Sequence, residues 1–145
     1  MVVQTFSDMA AAVISYERKK KKKKLDHRLL PRVPKRKFKH DEALHCIMRD
    51  YLGPNALFTG KEFEMMFRIS RARFERIMLD FANSGNPFYS GKTDCAGLKG
   101  ASLEAKILLP LKTLAYGVPP HAFSDYFQMS RSLARECCRK FNKQI

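Results

Sequence analysis

The stretch Phe127-Gln-Met-Ser-Arg-Ser-Leu-Ala-Arg-Glu-Cys-Cys-Arg-Lys-Phe141 decides the fold class. Placed at about 100° per residue, Leu133, Ala134, Cys137, Cys138 and Phe141 gather on one side of a helix. Arg131, Ser132, Arg135, Arg139 and Lys143 turn to the other. Ser130 stands where an N-cap belongs, because its hydroxyl can accept a backbone N–H that the first helical turn leaves free. The spacing therefore predicts an amphipathic helix from Arg131 to Phe141 or beyond.

The pattern has an echo upstream. Phe67-Arg-Ile-Ser70-Arg71 with Phe81 repeats Phe127-Gln-Met-Ser130-Arg131 with Phe141. In each, the first Phe closes a short helix, Ile or Met staples the turn, Ser caps, and the last Phe lies on the core face of the second helix. Both are helix-turn-helix candidates, although any two packed helices joined by a serine-capped turn share the pattern. Charge separates them. Arg131 to Lys143 holds five basic residues and one acid, whereas Arg71 to Asn83 holds three basic residues and two acids. The last helix is the better candidate to enter a DNA groove.

The rest of the chain from Asp41 onward is also helical in period. Leu44, Ile47, Met48, Tyr51 and Leu52 form one stripe, Asp41 and Glu42 suit its start, and Gly53-Pro54 ends it. Gly60 to Phe67 and Arg71 to about Asn83 follow, the latter capped by Ser70 and buried along Phe74, Ile77, Met78 and Phe81. Ser84 to Gly91 is turn chemistry, and the chain stays loop-like to Gly100. Ser102 opens an apolar-rich helix to about Tyr116 with Gly117 closing it, and Pro110 inside it predicts a kink or a break. Pro119 and Pro120 suit the start of a further helix through Phe127. No stretch reads as a strand. The expectation is an all-α fold, a small helical bundle over 41–145 with a helix-turn-helix at about 119–143.

Net charge divides the chain differently. Of the formal +14, residues 18 to 40 carry thirteen basic residues against one acid, Asp26. Lys19, Lys20, Lys21, Lys22, Lys23 and Lys24 repel one another and have nothing to bury, and Pro31 and Pro34 lead to a second cluster at Lys35, Arg36, Lys37 and Lys39. Residues 1–40 read as a disordered basic arm that serves nuclear import, phosphate contact with nucleic acid, or both, or that is only a solvated tail. A nuclear location is expected. No apolar run approaches the 18 residues of a membrane span, so no membrane partner is expected.

Four cysteines, Cys46, Cys95, Cys137 and Cys138, lack the spacing of a disulfide framework, and no secretory signal precedes them. A zinc site needs four ligands at usable spacing. Here His45, Cys46, Cys95 and His121 are scattered singly, and two adjacent cysteines do not easily turn to one metal from within a helix. Cys137 and Cys138 read as small hydrophobes of the core. No metal, cofactor or catalytic residue is expected.

Arg49-Asp-Tyr-Leu-Gly-Pro54, Leu57-Phe58, Phe67-Arg-Ile-Ser-Arg71 with Phe74, Leu111-Lys-Thr-Leu-Ala-Tyr-Gly117, Asp125-Tyr126-Phe127 and Ser130 together resemble the N-terminal region of PIF/Harbinger-type transposases. The resemblance covers roughly residues 45 to 145. It implies an all-helical region bearing a helix-turn-helix, ahead of a nuclease domain whose Asp-Asp-Glu carboxylates bind divalent metal. No acid of this chain matches those carboxylates, so a truncated or degraded transposase fragment without enzymatic activity is expected. Its implied partner is double-stranded DNA, with a nuclease domain or an accessory DNA-binding protein as a second. Arg131, Ser132 and Arg135 are then placed nearest the bases, and Arg139 and Lys143 nearer phosphate. The alternative is a protein-interaction module, with Leu111, Leu114, Tyr116, Phe123 and Tyr126 as its apolar surface and the arm acting only in import.

Overall fold

The computed structural model describes residues 15–16, 36–91, 93, 97 and 99–145. The chain divides into two units, Met1–Arg36 and Lys37–Ile145. In the first, Ser15 and Tyr16 are helical and Arg36 is exposed. The expected disorder of the arm and its lysines at 19–24 and 35 lie outside the described residues.

The second unit is all-α. Its elements are α1 (His40–Ile47), a π-helical segment (Met48–Leu52), α2 (Gly60–Phe67), α3 (Arg71–Asn83), α4 (Leu103–Tyr116), a 3₁₀ turn (Pro120–Phe123) and α5 (Arg131–Gln144). Among the described residues there is no strand, only an isolated antiparallel bridge between Thr93 and Lys99.

The centre of the unit is α4. Residues 105 to 111 and Thr113 are all buried, and the helix packs against α1, α2, α3, α5 and the 3₁₀ turn. A helix apolar on every side has to be surrounded in this way. Pro110 does not break it. Proline inside a helix costs about 3 kcal/mol, and Ile107, Leu108, Leu109 and Leu111 each bury an aliphatic side chain around it, worth about 1.5–3 kcal/mol apiece. Ser102 caps α4 by accepting the Ala105 N–H at 3.3 Å, and Gly117 closes it at φ 63°, the left-handed conformation that glycine adopts without strain.

Two expectations fail for local reasons. The first helix does not run as one α-helix to Leu52, because the backbone widens into a π turn at Met48. Asp50 and Tyr51 point inward, and Met48 is 41% exposed. Gly53 closes the π turn with an N–H donated to Met48 O at 2.6 Å, so close that an added Cβ would lie 2.6 Å from that oxygen. The expected helix from Pro120 through Phe127 is a 3₁₀ turn that stops at Phe123 and continues as turns to Gln128. Ser124 is the reason: both its N–H (3.2 Å) and its hydroxyl (2.7 Å) donate to His121 O, which holds the chain in the tighter curl.

The echo is present in the backbone as well as in the sequence. Arg68 and Gln128, each following a buried Phe, take left-handed conformations at φ 60° and 47°. Ser70 and Ser130 then cap at φ −70°, ψ 154° and φ −70°, ψ 155°. The two capped helices meet further along, where the rings of Phe81 and Phe141 stack at 5.4 Å.

Candidate nucleic-acid interface

The outward face of α5 is built from its buried face. Ala134, Cys137 and Phe141 are buried and Leu133 and Cys138 half-buried, which leaves Arg131, Ser132, Arg135, Arg139 and Lys143 exposed on the opposite side. All five sequence-predicted residues therefore lie on one face of one helix. Ser130 holds the first turn by accepting the Leu133 N–H at 3.2 Å, and its hydroxyl lies 3.0 Å from that of Ser132. No acid stands in that first turn. Arg131 and the uncapped N–H groups of the first turn thus sit at the positive end of the helix dipole, with Arg135 one turn further on, an arrangement that favours anions. The single acid of the helix, Glu136, lies 3.6 Å from Arg139 and 3.7 Å from Lys140, beyond ordinary hydrogen-bond length.

The echoing helix α3 has a different face. Arg71 is turned inward, donating to Phe58 O at 3.0 Å with its guanidinium 5.8 Å from the Phe63 ring centre. Arg73 and Arg76 are exposed, but so are Glu75 and Asp80. Its charges alternate, whereas those of α5 do not.

The paired cysteines are part of the core. Cys137 is fully buried, its thiol 4.0 Å from Met129 Sδ, and burial pushes its pKa up to about 12. Cys138 lies 3.5 Å from Thr113 Oγ1 and is raised chiefly by burial too. At both positions burial favours the neutral thiol. Among the described residues no three of His, Cys, Asp and Glu come together in a way that could hold a metal ion.

A polar cluster beneath the 3₁₀ turn is absent from the sequence reading. Asp50, only 6% exposed, accepts Arg49 Nε at 2.7 Å and Tyr126 Oη at 2.8 Å. The Arg49 hydrogen bond is the main reason that its carboxyl titrates below the usual range, and burial with the Asp50 bond raises the Tyr126 phenol. Beside them Lys112 Nζ donates to Tyr51 Oη at 3.1 Å. The same ammonium lies 5.4, 5.7, 5.1 and 5.4 Å from the ring centres of Tyr51, Phe67, Phe123 and Tyr126. Arg49, Asp50, Tyr51, Phe67, Lys112 and Tyr126 all belong to the fragments on which the family resemblance rests. Side chains from those fragments meet in space around the buried Asp50 and the half-buried Lys112, a structural role that their separation in sequence hides.

The apolar surface named for partner docking is only partly exposed. Leu114 and Tyr116 are 61% and 52% exposed, but Leu111 is buried and Phe123 and Tyr126 pack on the core. A larger apolar groove, about 410 Å³, lies instead between the π segment and α3, with Met48, Leu52, Met78 and Leu79 among its lining and Glu75 and Glu104 beside them. Comparison with protein-family models, with curated proteins and with solved structures gives no match for this chain.

Proposed function

We propose that Lys37–Ile145 is a DNA-binding module of the kind found in Harbinger-like transposases, in which α5 is the recognition helix of a helix-turn-helix. The observation that carries this reading is the one-sided face of α5: Arg131, Arg135, Arg139 and Lys143 exposed together, opposite Ala134, Cys137 and Phe141. In this arrangement the 3₁₀ turn and the turns through Gln128 take the place of the first helix. Arg131, Ser132 and Arg135 reach base edges, and Arg139 and Lys143 lie toward phosphate. The arm adds nuclear import, phosphate contact or both, and the module has no enzymatic activity of its own.

The test is duplex binding by Lys37–Ile145, prepared without residues 1–36 and so without most of the arm's charge, measured against salt. Retained binding that weakens steeply with salt supports the reading, and a flat response removes its phosphate-neutralising premise. Arg135→Ala is expected to lose about 1–3 kcal/mol of discrimination between the best site and random duplex. Unchanged discrimination removes Arg135 from the interface.

A second reading, a module that docks a nuclease domain or another protein partner, is favoured by the apolar groove beside Met48 and Leu79, the latter 63% exposed. It predicts that all DNA affinity disappears with the arm while partner capture persists.

A further inference from the structure

The connection after α3 is braced by its own hydrogen bonds and lies against the C-terminal turns of α5. Ser84 Oγ donates to Phe81 O at 2.7 Å and accepts the Asn86 N–H at 3.3 Å. Asn86 Oδ1 in turn accepts the Phe88 N–H at 3.0 Å, and Asn86 O accepts the Tyr89 N–H at 3.0 Å. These bonds fix the carboxamide so that Asn86 Nδ2 donates toward α5, to Gln144 Oε1 at 3.4 Å across 58 residues of sequence. That contact is long, and among the described residues this donor makes no other hydrogen bond.

A cavity of about 340 Å³ lies at the junction, lined by Asn86, Arg139, Lys140, Lys143 and Gln144. Three of the five are cations. Glu136 approaches Arg139 and Lys140 only at 3.6 and 3.7 Å, and Lys143 has no ion pair among the described residues. Lys140 is positioned by the same loop, its ammonium 4.6 Å from the Phe88 ring centre, and Lys106 lies 5.0 Å from that ring while donating to Phe88 O at 2.7 Å. Cations in the last turns of a helix also answer its dipole. The dipole, however, asks for no second element, no oriented amide and no cavity.

We infer that this cavity seats one backbone phosphate of duplex DNA. Lys143, Lys140 and Arg139 supply the charge, and Asn86 Nδ2 exchanges Gln144 for a phosphate oxygen. The inference rests on the DNA-binding reading of α5 and deepens it. From Arg131 to Lys143 the helix rises about 18 Å, more than the roughly 12 Å width of the major groove. With its first turn at the base edges and its axis inclined across the groove, such a helix carries its last turn to the sugar-phosphate wall. Asn86, on a separate element, thereby sets how far along the groove α5 is placed.

The test uses the full chain with random and best-site duplexes, and compares Asn86→Asp and Lys143→Gln with wild type and with Lys61→Gln on α2. Thermal melting checks that each variant is folded. Both cavity variants are expected to weaken binding to every duplex about threefold to tenfold at 0.1 M salt, and Lys143→Gln to lower the salt slope by about one, with site preference unchanged. Wild-type affinity in both folded cavity variants, with Arg135→Ala still losing site preference, overturns the phosphate seat and leaves the DNA reading standing. Absence of duplex binding by the wild-type chain overturns both.

Discussion

Asp50 shows how one residue can be plain in the sequence and opaque in its role. An Arg-Asp-Tyr tripeptide near the end of a helix suggests solvated charge by residue type, although Asp50 stands three residues after Ile47 and so on the same side of a helix. It is buried there, where Tyr126 and Arg49 satisfy it. Tyr126→Phe leaves a buried carboxylate oxygen without its donor, and a loss of about 1–3 kcal/mol is expected in urea unfolding. The pH dependence follows from the lowered carboxyl of Asp50. Its contribution is complete above the unfolded value near pH 4 and is lost as pH falls through the lower folded value. Asp50→Asn should accordingly be less stable than wild type at pH 7, with the gap closing as pH falls below about 4. Melts that stay equally separated from pH 7 to pH 2 would remove the carboxylate from this account. By contrast, the burial of Ala134, Cys137 and Phe141 was legible, because it needs only helical periodicity and no partner from elsewhere in the chain.

At the scale of the element, capping was the most readable signal and departures from the α-helix the least. Ser70, Ser102 and Ser130 each cap the helix that the sequence assigns to them. A fourth cap was missed although its pattern is present. Thr59-Gly-Lys-Glu62 forms a capping box, with Thr59 N–H donating to Glu62 Oε2 at 2.8 Å and Glu62 N–H to Thr59 Oγ1 at 3.4 Å. Periodicity has no means of announcing a π turn or a 3₁₀ curl, since each is decided by one or two hydrogen bonds. Gly53 is the local mark of the first. Gly53→Ala forces a Cβ against Met48 O, and the expected result is a stability loss of about 1–3 kcal/mol, read by thermal melting. An unaffected melt would mean that the π turn relaxes to an α-helix at no cost.

At the scale of the whole molecule, the all-α class and the order of the helices were readable from Asp41 onward, but the centre of the bundle was not. Nothing in the spacing of α4 says that five neighbours surround it, and Pro110 argues against a continuous helix there. The unit is therefore organised around one element whose loss exposes the faces of all the others, which favours a single cooperative unfolding transition. Lys112, on that element, has its ammonium among four aromatic rings and against Tyr51 Oη. Half-buried among those rings, its amine should react with acylating reagents more slowly than those of Lys61 and Lys99, which stand in solvent. In a timed labelling experiment read by mass spectrometry, Lys61 and Lys99 should be modified within minutes, and Lys112 more slowly. Labelling of Lys112 as fast as Lys61 would show that the rings do not shield it. Otherwise one lysine serves as an internal reporter on whether the rings stay together.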